Sequence, residues 1–214
     1  MNKLLIIILA VVSTAIGVFV YQQHIANQQP ELALLYQTPR TLASFELTDN
    51  NGNSFTNEQL RGKWTLFFFG YTSCPDICPI TLQELNYVYP ELQEITDNNM
   101  QVALVTADPK RDSQEKLNSY IGYFNKEFFA LRAGHEVLFP FARSLGLMYA
   151  IVENTEQDNY LVNHSASIIL TNPNGQIHAI FKPVEHATPG SVPSIDSDIM
   201  LSDFSKIYDL YTSN

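Results

Sequence analysis

The chain has 214 residues, and its 12 basic and 22 acidic side chains give a formal net charge of −10. It contains no cluster of Lys or Arg, so the charge pattern argues against a nucleic acid as partner. Its two cysteines are too few for a fold held together by several disulfides. The sequence shows no internal repeat and no low-complexity stretch, and its length suits one domain with a full hydrophobic core.

The first 21 residues are predicted to form a membrane anchor. Residues 4–20 carry no charge and would span roughly 25 Å as a helix, the low end for crossing a bilayer. Lys3 precedes this run and the next basic residue is Arg40, so the positive-inside rule places the remainder on the outer side. A cleaved signal peptide with a small-residue site at residues 13–15 is the alternative, although the apolar run continues past that site.

A polar tether is predicted between this anchor and the domain. Residues 22–40 are rich in Gln and Asn and contain two prolines, a composition typical of linkers. The domain would then occupy residues 41–214.

The domain pattern predicts an α/β fold with a mixed central sheet flanked by helices. An Asn-Gly turn indicates a hairpin near its start, and a continuous apolar run follows, as expected for a strand buried on both faces. The predicted elements are a hairpin of residues 45–48 and 54–56, a strand over 66–69, a helix over 75–96 with a kink or break at Pro90, a strand over 101–106, a helix opened by Asp112 and Glu115, a helix over 137–145, strands over 165–171 and 177–182, and a helix over 195–211.

Both cysteines lie within five residues, as Cys74 and Cys78, directly after the apolar strand. A four-residue step places two side chains on one face of a helix, and Pro75 suits the first helical position. Cys74 is therefore predicted near the N-cap, where the helix dipole favours a thiolate. A small structural disulfide or two buried apolar thiols are the simpler interpretations. The helix-start position favours a functional pair, suited to a soft metal or to redox chemistry.

Histidine supplies a third candidate ligand, and His164 is the best placed of the five in the chain. It directly precedes an apolar strand whose start would face the cysteine helix in a thioredoxin-like sheet. The others are predicted at ordinary surface, tether or loop positions: His24, His135, His178 and His186.

Two thiolates and one imidazole make a soft donor set. Cu(I) accepts such a set directly, and Cu(II) accepts it with a fourth ligand. Zinc also binds cysteine and histidine, but it usually takes four ligands or keeps a catalytic water. The chemistry of Cys74, Cys78 and His164 therefore favours copper.

Three segments of the chain strongly resemble the Sco/SenC family. They are Phe-Gly-Tyr-Thr-Ser-Cys-Pro-Asp-Ile-Cys-Pro at residues 69–79, Ala-Asp-Pro-Lys-Arg-Asp at 107–112 and Leu-Val-Asn-His-Ser-Ala at 161–166. The resemblance runs from about residue 45 to residue 181. It implies a thioredoxin-like domain that binds copper and helps to metallate the dinuclear CuA centre of cytochrome c oxidase.

By the same resemblance, Cys74, Cys78 and His164 are the expected copper ligands. The expected partners are the CuA-bearing oxidase subunit and a copper donor protein, and the expected location is a bacterial inner membrane with the domain on its outer side. Asn163 departs from the family, which commonly has Asp before the histidine, so the tuning of the imidazole by its neighbour should differ here.

Two acidic residues near the motifs have simpler roles than metal binding. Asp76 could offer a carboxylate, but an Asp in the first turn of a helix also matches the helix dipole. Asp108 is expected to shape the loop above the site.

The rival function is that of an exported thiol–disulfide oxidoreductase. Cys74 would be the attacking thiolate and Cys78 the resolving thiol. Oxidoreductases of this fold typically use Cys-x-x-Cys with a cis-proline opposite, whereas here the spacing is one residue longer. No proline lies between Pro140 and Pro173, and His164 stands at the strand start instead. A copper or redox sensor is a third interpretation that the sequence leaves open.

Overall fold

The computed structural model describes residues 3–151, 160–185 and 192–213, so His186 lies outside the described residues, as does the side chain of His24. The helices of the described part are α1 (Lys3–Gln28), α2 (Ile77–Ile95), α3 (Gln114–Phe124), α4 (His135–Leu145) and α5 (Ser197–Thr212). Its strands are β1 (Leu34–Thr41), β2 (Glu46–Thr48), β3 (Ser54–Thr56), β4 (Trp64–Gly70), β5 (Met100–Thr106), β6 (Phe129–Leu131), β7 (Tyr149–Ile151), β8 (Val162–His164), β9 (Ile168–Thr171) and β10 (Gln176–Phe181).

A six-stranded mixed sheet in the order β1-β10-β9-β4-β5-β6 forms the centre of the domain. β4, β5 and β6 run parallel to one another, and the remaining neighbours in this sheet pair antiparallel. Every residue of β4 and β5 is buried, as expected for parallel strands that are covered on both faces. The predicted α/β fold with a mixed sheet between helices is confirmed.

The side chains of β4 alternate between two layers of the core. Trp64 packs against Phe204 of α5, with ring centroids 5.6 Å apart, and Gly70 lies on the same strand face against α2. Phe67 and Phe69 point to the opposite face, where both contact Phe141 of α4. The strand that leads to the cysteines is thus held from both sides.

The N-terminal segment departs from the predicted tether. β1 takes up the last seven residues of the predicted range 22–40, extends to Thr41 and pairs with β10 at the edge of the sheet. The carboxylate of Asp203 accepts three backbone N–H groups from residues 31–33, at 2.6 to 2.8 Å. Sequence reasoning missed this strand because Pro39 and the glutamines are typical of a linker. An edge strand nevertheless tolerates proline and needs little alternation of apolar residues.

α1 covers most of the predicted anchor. Within the described residues, no helix is both long and apolar enough to cross a membrane. The anchor predicted over residues 1–21 is therefore not shown by the structure.

The two helix starts near the site differ from the predicted ones. α2 begins at Ile77 with Asp76 as its N-cap, two residues later than predicted. A start at Pro75 would place Pro79 at the fifth helical position, where its missing N–H would leave a helix carbonyl unbonded; in the observed register Pro79 falls in the first turn, where no such bond is required. The helix then continues through Pro90.

α3 is capped by Ser113, not by Asp112. The Ser113 side chain accepts a hydrogen bond from the N–H of Lys116. The carboxylate of Asp112 can therefore accept other hydrogen bonds, because a serine hydroxyl caps a helix as well as a carboxylate does.

The region of His164 is more divided than the sequence predicts. β9 begins only at Ile168 and pairs with the end of β4 through Phe68. His164 instead closes the short strand β8, which pairs antiparallel with β7 in a separate two-stranded sheet. The predicted neighbourhood of the histidine and the cysteine-bearing strand end is confirmed, while the strands β6, β7 and β8 were not predicted.

Candidate metal centre

The thiol loop, residues 71–78, begins where β4 ends. The backbone N–H of Cys74 donates to the carbonyl of Tyr71 at 3.1 Å, which closes a turn. Cys74 is half-buried in this turn, and Cys78 is fully buried in the first turn of α2. A Cβ on Gly70 would lie 2.9 Å from the Cys78 sulfur, so glycine is required for the thiol to approach the strand.

The histidine segment, residues 160–165, brings the imidazole to these thiols. One ligand atom from each of Cys74, Cys78 and His164 lies within 4.8 Å of the other two. The Cys78 sulfur is 3.3 Å from His164 Nε2. The ring packs edge-to-face against Phe68 and Tyr71, each with a centroid separation of 5.9 Å.

The hydrogen bonds of His164 determine its tautomer. Nδ1 lies 3.2 Å from the carbonyl oxygen of Ser165, and a carbonyl can only accept, so Nδ1 carries the proton. In the neutral ring Nε2 then holds the lone pair, and this nitrogen faces the Cys78 sulfur at 3.3 Å, as a metal-binding imidazole requires.

The two thiols differ sharply in acidity. The Cys78 sulfur contacts both the Cys74 sulfur and His164 Nε2. The hydrogen bond from Cys78 is the main cause that lowers the pKa of Cys74 to about 4, against an opposing effect of burial. Burial raises the pKa of Cys78, and the neighbouring Cys74 sulfur raises it further. Cys74 is therefore a thiolate at neutral pH, and Cys78 keeps its proton until something replaces it.

These donors suit a soft metal ion. The set contains one thiolate, one thiol that metal binding would deprotonate and one imidazole lone pair, which together match copper chemistry. Asp76 is exposed at its N-cap position and is not part of this cluster. The remaining described histidines have other partners: His135 Nδ1 lies 2.8 Å from the Tyr149 hydroxyl, and His178 packs between Trp64 and Tyr211.

Asp112 fastens the thiol loop to the sheet. Its carboxylate accepts hydrogen bonds from the backbone N–H and the hydroxyl of Thr72, and from the hydroxyl of Thr106 at the end of β5. Lys116 lies 3.7 Å from the same carboxylate and donates to the Ser73 hydroxyl at 3.1 Å. Asp112 is fully buried, so its negative charge is balanced within the protein rather than by water.

Asp108 shapes the loop above the site, as the sequence predicts. It is fully buried, accepts from the Arg111 guanidinium, and accepts from the Tyr160 hydroxyl at 2.6 Å. Sequence reasoning missed Tyr71 and Tyr160 as neighbours of the site. Tyr71 stands inside the motif and could have been found there, whereas nothing in the sequence marks Tyr160.

The fold and the site define the class of this protein. It is a thioredoxin-like domain in which two thiols and one imidazole form a candidate metal centre at the carboxyl end of a central strand.

Comparison with known proteins identifies the family. The family model for SCO1/SenC matches residues 35–192, so the chain belongs to the SCO1/SenC family of copper-binding cytochrome c oxidase assembly proteins. A protein of Stutzerimonas stutzeri that is named for copper binding is 38% identical over 144 residues, which cover 67% of this chain and 70% of that protein.

Solved structures agree with this assignment. The copper-bound structure of Arabidopsis thaliana ScoI has a TM-score of 0.69 and 27% identity, covering 79% of this chain and 99% of the other. Yeast Sco1 with copper bound has a TM-score of 0.62 and 31% identity, covering 67% of this chain and 80% of the other.

Proposed function

We propose that this protein binds one copper ion through Cys74, Cys78 and His164 and supplies it to the CuA site of cytochrome c oxidase. The observation that carries the proposal is the convergence of these three ligand atoms within 4.8 Å. Membership of the SCO1/SenC family supports copper as the metal and the oxidase as the destination.

The site suits a carrier that must take up and release copper. The Cys78 proton leaves when copper binds, because a thiol must be deprotonated to act as a ligand. Cys78 is fully buried, whereas Cys74 is half-buried. An incoming ligand of a recipient protein would therefore reach the copper from the side of Cys74, and that bond would be exchanged first.

Copper titration tests the ligand set. The purified full chain is titrated with Cu(I) and with Cu(II), beside Cys74→Ser, Cys78→Ser and His164→Ala. We expect one copper per chain and a thiolate charge-transfer absorption in the Cu(II) complex. Equal binding by the protein lacking both cysteines would refute the site.

Transfer to the oxidase tests the role. The copper-loaded chain is mixed with the apo form of the soluble CuA-bearing domain, and the visible absorption of CuA is followed. Formation of CuA from the wild type, but not from Cys74→Ser, would support delivery. Copper that stays on the loaded chain would contradict it.

The proposed location is the outer side of a bacterial inner membrane, anchored by the N-terminal segment. The uncharged run at residues 4–20 and the lack of any Lys or Arg between Lys3 and Arg40 support it. A reporter that works only outside the cytoplasm, fused after Asn214, should be active. Recovery of a mature soluble protein that begins near Ile16 would show cleavage and contradict anchoring.

The thiol asymmetry supports a second candidate function, thiol–disulfide exchange with an exported protein. An acidic, half-buried Cys74 beside a buried Cys78 matches an attacking and a resolving thiol. Reduction of an oxidised CuA-domain disulfide by the metal-free chain separates the two functions. His164→Ala should impair copper delivery while it leaves this reductase activity largely intact.

A further inference from the structure

His164 is held by an element outside the sheet that carries the thiols. Among the described residues, β8 pairs only with β7, while the thiol loop follows β4, which is paired on both sides. The backbone ladder between β9 and β4 begins only at Ile168, four residues after His164, so it does not include the residue that carries the imidazole. Further contacts are needed to hold the histidine segment against the thiol loop.

Four side chains supply those contacts. Tyr160, four residues before His164, donates its hydroxyl proton to Asp108 at 2.6 Å. Arg111 pairs with the same carboxylate, and its guanidinium carbon lies 3.6 Å from the ring centroid of Tyr160 and 5.5 Å from that of Tyr71.

Tyr71 also contacts the histidine segment. The Tyr71 hydroxyl accepts the backbone N–H of Val162 at 3.4 Å, and its ring packs on His164. Both tyrosines are 2% exposed and Asp108 is fully buried. In this environment the phenols keep their protons, because burial raises the pKa of Tyr71 and raises that of Tyr160 to about 12. Tyr160 thus remains a hydrogen-bond donor.

We propose that Tyr71, Asp108, Arg111 and Tyr160, called here the histidine clamp, position His164 against the thiols and keep its imidazole in the copper ligand set. These four are positioning residues, since they act on copper through His164. The inference rests on the proposed copper-binding function and deepens it. The guanidinium between two rings and a buried carboxylate joins the loop after β5 to both the thiol loop and the histidine segment.

The clamp should affect the two copper oxidation states differently. Cu(I) is soft and is satisfied by two thiolates, whereas Cu(II) relies on the nitrogen donor to complete its preferred geometry. Loosening the histidine should therefore weaken Cu(II) binding and leave Cu(I) binding nearly unchanged. A defect in folding would weaken both.

The test compares Tyr160→Phe with Tyr89→Phe in the full chain, by competition of each copper ion against a chelating dye. Tyr89→Phe is the matched control, preferred to Tyr120→Phe because the Tyr120 phenol lies near both thiols. It also removes a buried hydroxyl that donates one hydrogen bond, here to the carbonyl of Met100 at 3.3 Å, about three turns along α2 from Cys78. We expect Tyr160→Phe to lower Cu(II) affinity at least fivefold and Cu(I) affinity less than twofold. In the electron paramagnetic resonance spectrum of the Cu(II) complex, the hyperfine coupling to the His164 nitrogen should weaken as well. The control should change neither affinity.

A second measurement needs no copper. Hydrogen exchange of the backbone amides at residues 161–164 should speed up at least fivefold in metal-free Tyr160→Phe and stay unchanged in Tyr89→Phe. Arg111→Met should show the same pattern more strongly, and Arg111→Lys should recover part of it. Unchanged Cu(II) affinity and exchange in Tyr160→Phe would overturn the clamp. Failure of the wild type to bind copper through its cysteines would instead overturn the proposed function.

Discussion

The thiol loop and the histidine segment meet at one site, but the fold holds them by different means. The thiol loop continues directly from β4, which is buried along its whole length and paired with β5 and β9. The histidine segment contains the three-residue strand β8, and the only strand that pairs with β8 among the described residues is β7. The turn at Tyr71–Cys74 and the buried carboxylate of Asp112 thus position the sulfurs beside the end of β4, whereas the proposed histidine clamp positions the imidazole.

This difference divides the ligand set into a rigid and an adjustable part. Ladder hydrogen bonds are numerous and cooperative, so no single substitution near β4 releases the loop unless it breaks the buried anchor at Asp112. Side-chain contacts are few and can be removed one at a time. The two sulfurs should therefore stay together under changes that move the nitrogen.

The largest effect is expected at the anchor of the thiol loop. Asp112→Ala should lower the free energy of unfolding by about 3 kcal/mol, because it leaves the Thr72 N–H, the half-buried Thr72 hydroxyl and the buried Thr106 hydroxyl without their acceptor. Urea unfolding can be followed by the fluorescence of the single buried tryptophan, Trp64. The exposed Asp209→Ala serves as control and should change the free energy by less than about 0.5 kcal/mol. A loss equally small at Asp112 would show that the loop does not depend on it.

The two sulfurs should also differ in reactivity. At pH 6, iodoacetamide should modify Cys74 at least tenfold faster than Cys78, since the pKa of Cys74 is lowered to about 4 and burial raises that of Cys78. The Cys74 rate should be flat from pH 6 to pH 8, because the thiol is already ionised throughout. Mass spectrometry of the two modified sites measures both rates.

The variant Cys78→Ala provides the control for this reactivity. It removes the hydrogen bond that is the main cause of the lowered Cys74 pKa. The Cys74 rate should then rise with pH across the same range. A flat profile in this variant would mean that the interaction with His164 and the backbone hydrogen bonds at the helix start suffice to keep Cys74 ionised.

On the histidine side, the cost to stability should be smaller. Tyr160→Phe removes one hydrogen bond to a buried carboxylate that keeps its Arg111 partner, so we expect a loss of about 1.5 kcal/mol in urea unfolding. Combining it with Asp112→Ala tests whether the two supports are independent. If the loss in free energy of unfolding of the double variant differs clearly from the sum of the two single losses, both regions form one unit.

The smallest effect concerns a histidine that has no role in the site. Burial lowers the pKa of His178, whose Nδ1 has no hydrogen-bond partner among the described residues. The unfolded chain takes up a proton near pH 6.5, and the folded chain does so only at lower pH. The free energy of unfolding should therefore fall as the pH drops below about 6.5.

The decrease in the free energy of unfolding between pH 7.5 and pH 5.5 should be up to about 1 kcal/mol larger in the wild type than in His178→Gln. Urea unfolding at the two pH values measures it. Identical pH dependence in both proteins would show that His178 titrates normally in the fold.

Much of the fold could be predicted from local patterns. The apolar run of β4, the Asn-Gly hairpin and the ends of β5 and α4 all follow from short-range propensity and burial, and the structure has them close to their predicted positions. β1 and the start of α2 could not be predicted in this way. β1 forms because it pairs with a strand that is distant in the sequence, and the start of α2 depends on which of two prolines falls in its first turn. Neither can be recognised from a short stretch of sequence.

The sequence by itself determined the chemistry of the site, because its two cysteines are adjacent to a buried strand and only a few histidines could join them. Only the tertiary structure decided how the imidazole is held. The hydrogen bond from Tyr160 to Asp108 joins residues 52 positions apart, and such contacts leave no periodic trace in a sequence. The acidity of Cys74 was likewise settled in three dimensions, since its main cause is a hydrogen bond from Cys78 rather than the helix start that the spacing predicts.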